Sequence, residues 1–299
     1  IGEDPADPCF VVTDLLPPLA TEQSKRPLHE GIKGEELNIL VGSRPFKDDK
    51  VSESVKLNVL AILKEKYGIC EGDFLSAELE CVPAFSARDI GFDRSMIGAY
   101  GHDDRVCAYP ALQAIFDTKA PVKTVITVLA DKEETGSDGN TGLNSAFFKY
   151  FVEDLALAQN TQGYKVLRNS ECLSADVNAA LDPTFPEVMD RRNAAMLNHG
   201  AVITKYTGAR GKSGASDASA EVMGHIRTTL DNAGVLWQMA TLGKVDQGGG
   251  GTVAAYMANR NIVTVDAGVP VLCMHAPMEL VSKLDCYMTM LACKAVYEA

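Results

Sequence analysis

Apolar residues recur along this chain with two periods. Val55, Val59, Leu60, Ile62 and Leu63 fall at helical spacing and the pattern stops at Gly68, which predicts a helix over Ser54–Tyr67 with a glycine cap. Leu75, Ala77, Leu79 and Cys81 alternate with Ser76, Glu78 and Glu80, the period of a strand with one wet face in an antiparallel sheet. Residues 10–12 and 37–41 are shorter strand candidates within a stretch rich in proline, glycine and charge. From about residue 93, strands alternate with long helices, as in a layered α/β domain. A helix is expected over 103–116 with a kink at Pro110, then a central strand over 123–130 and a helix over 141–158 through Leu143, Phe147, Phe148, Phe151 and Leu155. Leu173 and residues 201–203 read as strands, and Ser216 as the cap of a helix through Ala220, Met223 and Ile226 that ends near Gly234. Strands follow at 262–265 and 271–274, and a helix from about Glu279 closes the chain. The domain boundary therefore falls near residue 92, giving 1–92 and 93–299.

The 299 residues are 46% hydrophobic, enough for a substantial core. Lys plus Arg 28 against Asp plus Glu 40 gives a net charge of -12, which argues against nucleic acid or an anionic membrane as a partner. No apolar run approaches the roughly 18 to 20 residues of a membrane helix, and no signal pattern opens the sequence. Eight cysteines without CxxC spacing favour reduced, buried thiols and a cytoplasmic location. The first residue is Ile1, so a processed, cleaved or partial chain is expected.

Candidate chemistry concentrates where apolar runs end. The run at 125–130 empties into Glu133 and Glu134 followed by Gly136, the way a sheet delivers reactive groups to its carboxyl edge. Adjacent carboxylates leaving a strand point in different directions, so one can bind a metal while its neighbour takes a proton from water. Gly101-His102-Asp103-Asp104-Arg105, Ser174-Ala175-Asp176-Val177-Asn178, Val271-Leu272-Cys273-Met274-His275 and the glycine run before Thr252 join them. Carboxylate and imidazole without thiolate, spread over several strand ends, suit a hydrolytic site for one or two divalent metals.

In this order the stretches resemble the aspartyl aminopeptidase family of zinc exopeptidases. The wording EGDFLSAELECVPA, ARDIGFDRS, KYTGARGK, LGKVDQGGGGT and VPVLCMHAP is most similar to its bacterial aminopeptidase I branch, and the resemblance spans essentially the whole chain. It implies a metal-dependent aminopeptidase with two divalent ions, zinc in type, with cobalt or manganese as substitutes. By position, Asp103 would bridge the two ions, Glu134 and His275 would complete one, Asp176 would serve the other, and Glu133 would be the general base. Gly250, Gly251 and Thr252 would contact the substrate, as would Lys205 and Tyr206. The family's first metal motif, His-x-Asp, lies upstream of anything matched here, so one ligand is absent from the expected set. Where relatives continue from the Asp176 stretch toward His-Pro, this sequence has Asp182-Pro183.

The family fold implies a mixed sheet between helices with an inserted β-rich dimerisation domain, of which residues 1–92 would be the larger part. It also implies peptide substrates and dimers assembled into a tetrahedral dodecamer. A related two-metal amidohydrolase or deacylase, and a scaffold protein with a broken metal site, are the competing readings.

Overall fold

A computed structural model of the chain describes all residues except Glu3, 48–51, Ala209, Gly211, Lys212 and Ala215. The KYTGARGK stretch therefore falls partly outside the described residues. The chain divides into two units, Ile1–Ala84 and Phe85–Ala299. No helix among the described residues is long and apolar enough to cross a membrane.

In the first unit β1 (Val11–Val12) pairs antiparallel with β2 (Ile39–Leu40), as the two short apolar runs suggest. The helix α1 (Ser54–Tyr67) has the expected bounds, and Gly68 ends it at φ 73, a left-handed conformation that glycine adopts without a Cβ clash. The alternating run 75–81 is not a strand. A short 3-10 turn over Glu71–Leu75 leads into irregular backbone, and Leu75 and Leu79 stay exposed. A strand with one wet face persists only when a neighbour supplies the ladder, and among the described residues nothing pairs with this run. The unit's only strands among the described residues are β1 and β2.

The second unit holds two sheets. In the five-stranded sheet, β3 (Arg88–Ile90), β4 (Met96–Ala99), β11 (Glu279–Ser282) and β10 (Pro270–Leu272) are antiparallel neighbours, and β6 (Asn178–Ala179) adds parallel to β10. The four-stranded sheet has the order β5 (Glu171–Ala175), β9 (Val263–Gly268), β7 (Ala201–Thr204) and β8 (Trp237–Met239). Here β5 runs parallel to β9 and β7 to β8, while β7 and β9 are antiparallel. Two strands continue from one sheet into the other: β5 passes through Asp176 into β6, and β9 through Val269 into β10. The bonds Asp176 N–H to Ala267 O and Asn178 N–H to Val269 O hold this corner. Gly268 makes it possible, because a Cβ there would overlap the Asp176 carbonyl oxygen.

Helices α5 (Ala220–Asn232) and α7 (Lys283–Tyr297) contribute to a core built from Ala201, Ile203, Leu230, Val265, Ala292 and their neighbours, and α2 (His102–Asp117) buries Ala111 and Ala114 with Cys293 of α7. On the far side of β5, α3 (Phe147–Ala158), α4 (Gly163–Arg168) and α6 (Ala254–Ala258) bury Val152, Leu167 and Met257.

Several boundaries differ from the sequence reading, each for a local reason. The break in helical backbone dihedrals within α2 falls at Asp103 (ψ 111), not at Pro110. Residues 141–146 form a loop, not the first turns of α3, since Thr141 Oγ1 donates to Asp131 and Asn144 N–H to Ser137 O. Ser219, not Ser216, caps α5 by accepting from Val222 N–H. Residues 279–282 are a strand, and α7 starts after Ser282, which accepts from Asp285 N–H. The expected central strand at 123–130 makes no ladder among the described residues; Asp131 just after it bridges to Gly142. The cysteines are unpaired, but Cys9, Cys70, Cys81 and Cys273 are exposed and only Cys107 and Cys293 are fully buried.

Candidate metal centre

Three loops meet at one end of the second unit. The turn after β4 delivers Asp103 at the start of α2, the β10–β11 connection delivers His275, and a 3-10 turn over Glu133–Thr135 delivers Glu134. His275 Nε2 lies 3.0 Å from Asp103 Oδ2 and 3.3 Å from Glu134 Oε1. One ligand atom from each of the three falls within 4.8 Å of the others, a span that a single cation could bridge. Asp103 forms the wall of the group, its side chain 7% exposed, while His275 and Glu134 are open to solvent at 63% and 58%.

The backbone shapes these loops. Lys132 (φ 68), immediately before the Glu pair, and His275 (φ 66) both occupy the left-handed region, which costs a non-glycine residue on the order of 1 kcal/mol or more. One residue that the sequence reading missed supports this. Glu279, 2% exposed at the start of β11, accepts Asp103 N–H at 2.9 Å and His275 N–H at 2.8 Å. A single carboxylate thus holds the main chains of two donor residues in register. Its position four residues after His275 was the available signal, obscured because the segment reads as a helix start.

The electrostatics describe a centre short of positive charge. Burial pushes the Asp103 carboxyl up to about 7, and the nearby Glu134 adds to this while His275 opposes it. Asp176, buried at the corner between the sheets, is pushed up to about 8 by burial, with Asp266 and Glu133 adding. Glu133 is raised by burial, then by Glu134 and Asp104. Asp266, also missed by the sequence reading, sits inside β9 and is raised to about 7 by burial, with the Thr252 hydroxyl pulling the other way. Asp266 Oδ1 and Ser174 Oγ are buried without a hydrogen-bond partner, although the two residues are paired in the β5–β9 register. A carboxylate inside the apolar run Val263-Thr264-Val265-Asp266-Ala267 was the signal that could have revealed it. Among the described residues no lysine or arginine forms an ion pair with Asp103, Glu133, Glu134, Asp176 or Asp266; His275 is the only partner. Packed carboxylates with open ligand positions are the donor set of a hard or borderline divalent cation, so the residues fit such an ion.

The remaining candidates divide. Asp176 and Glu133 lie outside the three-residue cluster but within electrostatic reach of it. The sequence's one His-x-Asp string, His102-Asp103-Asp104, does not supply another imidazole to the cluster, because His102 is buried with Nε2 3.2 Å from the Ile97 carbonyl. Gly250, Gly251 and Thr252 belong to a loop held to Gly208 and Arg210 through Gly208 N–H to Gly250 O and Arg210 N–H to Gly248 O. Gly249 at φ 90 permits this, since a Cβ there would overlap the Gly208 carbonyl. The ammonium of Lys205 is engaged by Asp217 and the Ala218 carbonyl and lies over the Tyr206 ring at 4.1 Å.

The model of the family described as "Aminopeptidase I zinc metalloprotease (M18)" fits residues 2–297. The probable M18 family aminopeptidase 1 of Clostridium acetobutylicum is 51% identical over 293 residues, 97% of this chain and 63% of the relative. That of Thermotoga maritima is 46% identical over 303 residues, 100% of this chain and 66% of the relative. The crystal structure of the T. maritima M18 aminopeptidase superposes with a TM-score of 0.95 at 46% identity, covering 100% of this chain and 66% of that one. The C. acetobutylicum aminopeptidase I structure gives 0.92 at 50%, covering 100% and 65%. The S. cerevisiae mApe1 dodecamer shares the fold at 21% identity, TM-score 0.66, covering 88% and 60%. The chain thus spans about two thirds of the length of these relatives. With the family's model fitted almost end to end, and with half the residues shared with one of its bacterial representatives, the chain belongs to the aminopeptidase I zinc metalloprotease family, M18.

Proposed function

We propose that these residues form the greater part of a metal-dependent aminopeptidase that removes residues from the amino terminus of peptides. The observation that carries the reading is the convergence of Asp103 Oδ2, Glu134 Oε1 and His275 Nε2 from three loops onto one point. Asp103, Glu134 and His275 hold one divalent ion in this reading, and Asp176, with Asp103 shared, contributes to a second; zinc is the type named in the family's description. When bound, such ions polarise a peptide carbonyl and acidify water, chemistry that carboxylates alone do not provide. Glu133 is the general base. Burial raises its proton affinity above that of an ordinary glutamate, which suits a group that takes a proton from water and passes it to the leaving amine. The 248–252 loop offers backbone groups to the substrate, with Gly250, Gly251 and Thr252 as the contacts. Lys205 and Tyr206 stand on the neighbouring segment as further substrate contacts, Lys205 exchanging its Asp217 partner when substrate arrives.

Self-association is part of the proposal. The first unit leaves Leu28 98% and Leu75 93% exposed, as a surface that pairs with another subunit would. The related S. cerevisiae mApe1 is a dodecamer by its own description, which supports dimers built into a larger closed assembly here. Eight unpaired cysteines support a cytoplasmic location. The test is Glu133→Gln assayed on amino-acid p-nitroanilides beside N-acylated counterparts. The expected result is turnover of the free-amine substrates only, abolished by the substitution while metal content is retained. Unchanged turnover in Glu133→Gln refutes the assignment, and turnover of N-acylated substrates alone moves it to a deacylase.

A further inference from the structure

Glu279 fixes the main chains of Asp103 and His275, but the third donor lies outside its hydrogen bonds. Glu134 sits on a loop of its own, 131–146, whose two limbs are tied by the Asp131–Gly142 bridge and by Asn144 N–H to Ser137 O. That loop holds one 3-10 turn and no ladder among the described residues, and Lys132 at φ 68 and Ser137 at φ 58 both lie in the left-handed region. Backbone of this kind opens easily unless something outside it holds the shape.

The segment of α6 and the residues just after it meet the loop at three points. The Tyr256 hydroxyl donates at 3.2 Å to Gly136 O, the residue that ends the turn carrying Glu133 and Glu134. Arg260, two residues past the end of α6, donates from Nη2 to Leu143 O at 2.6 Å and to Ser145 O at 3.0 Å on the returning limb. Its Nη1 donates to Tyr256 O at 2.6 Å, so the guanidinium is itself anchored to the residue whose hydroxyl holds Gly136. Met257 packs with Leu143 in the same buried cluster.

The chemistry of these contacts singles out Arg260. A guanidinium is a planar fork with five donors, so one side chain can hold three carbonyls on two segments, which the single nitrogen of a lysine does far less well. Among the described residues no carboxylate pairs with Arg260, and burial lowers its proton affinity. Its charge is therefore placed for its hydrogen bonds, all to main-chain oxygens, the atoms that set the path of a loop. That path decides whether Glu134 Oε1 arrives 3.3 Å from His275 Nε2. The helix also begins beside the 248–252 loop, where Thr252 Oγ1 accepts Ala254 N–H at 3.3 Å.

We propose that Arg260 and Tyr256 are positioning residues for the Glu133–Glu134 pair, acting through the main chain at Gly136, Leu143 and Ser145. The assignment rests on the reading of Glu134 as a metal donor and Glu133 as the base. The donor set is then held from two sides: Glu279 fixes Asp103 and His275, and the α6 segment fixes Glu134.

Competition titration of zinc and hydrogen exchange, both on the 299-residue chain, test this. Arg260→Met is expected to weaken zinc binding by about tenfold or more, and Tyr256→Phe, which removes only the hydroxyl, by about threefold. In both variants the amides of Gly136, Ser137 and Asn144 are expected to exchange faster while 101–105 and 272–276 keep the parent rate. With Glu134→Ala already in place, Arg260→Met is expected to cause no further loss of affinity, because the loop then carries no donor to the cluster. Zinc affinity within twofold of the parent in both variants overturns the proposal. An equal loss in the Glu134→Ala background, or faster exchange in all three segments, makes Arg260 a support of the fold at large and overturns it too. If Arg260→Met does not fold, Tyr256→Phe decides by affinity and exchange. A parent chain that binds no zinc refutes the metal reading; the positioning claim is then upheld by faster exchange confined to 132–145 and overturned by unchanged exchange there.

Discussion

Glu279 gives the sharpest test of how the donor cluster is held. It touches none of the three donor atoms in the hydrogen bonds described, yet its carboxylate accepts the main-chain N–H of Asp103 at 2.9 Å and of His275 at 2.8 Å. In Glu279→Gln the amide oxygen can accept one of these, and its NH2 group then faces the other donor. One hydrogen bond to a charged group, worth about 1.5–3 kcal/mol, is lost, and the orphaned N–H adds a penalty of about 1–3 kcal/mol. These overlap, because the loop relaxes toward water, so a net loss of about 2–4 kcal/mol is expected in the local stability of the two loops. His275 sits at φ 66 and loses the bond that holds it there, so its imidazole should leave the position 3.0 Å from Asp103. Removing such supporting groups weakens metal binding by about 10–100-fold. Competition titration of zinc against a chromogenic chelator measures this directly, with thermal unfolding of the metal-free chain recorded beside it. Zinc affinity within twofold of the parent refutes the reasoning, whatever happens to the melting temperature. A lower melting temperature with unchanged affinity would make Glu279 a purely structural residue.

Asp266 predicts a pH dependence of the metal-free chain. Burial raises its carboxyl to about 7, so the folded state keeps a proton that the unfolded chain releases near 4. Its contribution to stability is complete below about pH 4 and is lost as pH rises through about 7. Asp266→Asn should therefore flatten the decline of unfolding free energy between about pH 4 and 7, by at most about 1.4 kcal/mol per pH unit in chemical denaturation; an unchanged slope contradicts this. Gly268→Ala places a Cβ against the Asp176 carbonyl and should separate β5 from β9 at the corner. The expected loss is about 2 kcal/mol or more in chemical denaturation, and a loss under 0.5 kcal/mol shows that the corner gives way easily. Thiol titration should find Cys9, Cys70, Cys81 and Cys273 reacting rapidly, with Cys107 and Cys293 reacting only on unfolding. Fast reaction of Cys107 would mean that the packing around α2 is open.

Patterns that depend only on neighbours along the chain are legible in the sequence itself. The spacing of Val55, Val59 and Ile62 and the glycine at 68 specify α1 to the residue, because a helix bonds within itself and its cap is local. The same holds for the family resemblance, carried by short strings such as GHDDR and MHAP around the residues that form the cluster. Strand identity is less secure. Residues 75–81 and 123–130 have the composition of strands, yet a strand exists only when another backbone lies alongside, and the sequence of one segment does not say whether it does. Residues 279–282 go the other way: a stretch that reads as helix becomes β11 because β4 and β10 flank it. Glu279 and Asp266 acquire their importance in the same manner. One spans two backbones brought together from positions 172 residues apart, as the contact between His275 and Asp103 measures, and the other is raised by burial that only the packed sheet creates. The sequence by itself therefore determined which side chains are available for metal chemistry and where the self-contained helix lies. Tertiary structure decided which backbones pair, which carboxylates are stripped of water, and which loops bring Asp103, Glu134 and His275 to one point, because these depend on contacts between residues far apart along the chain.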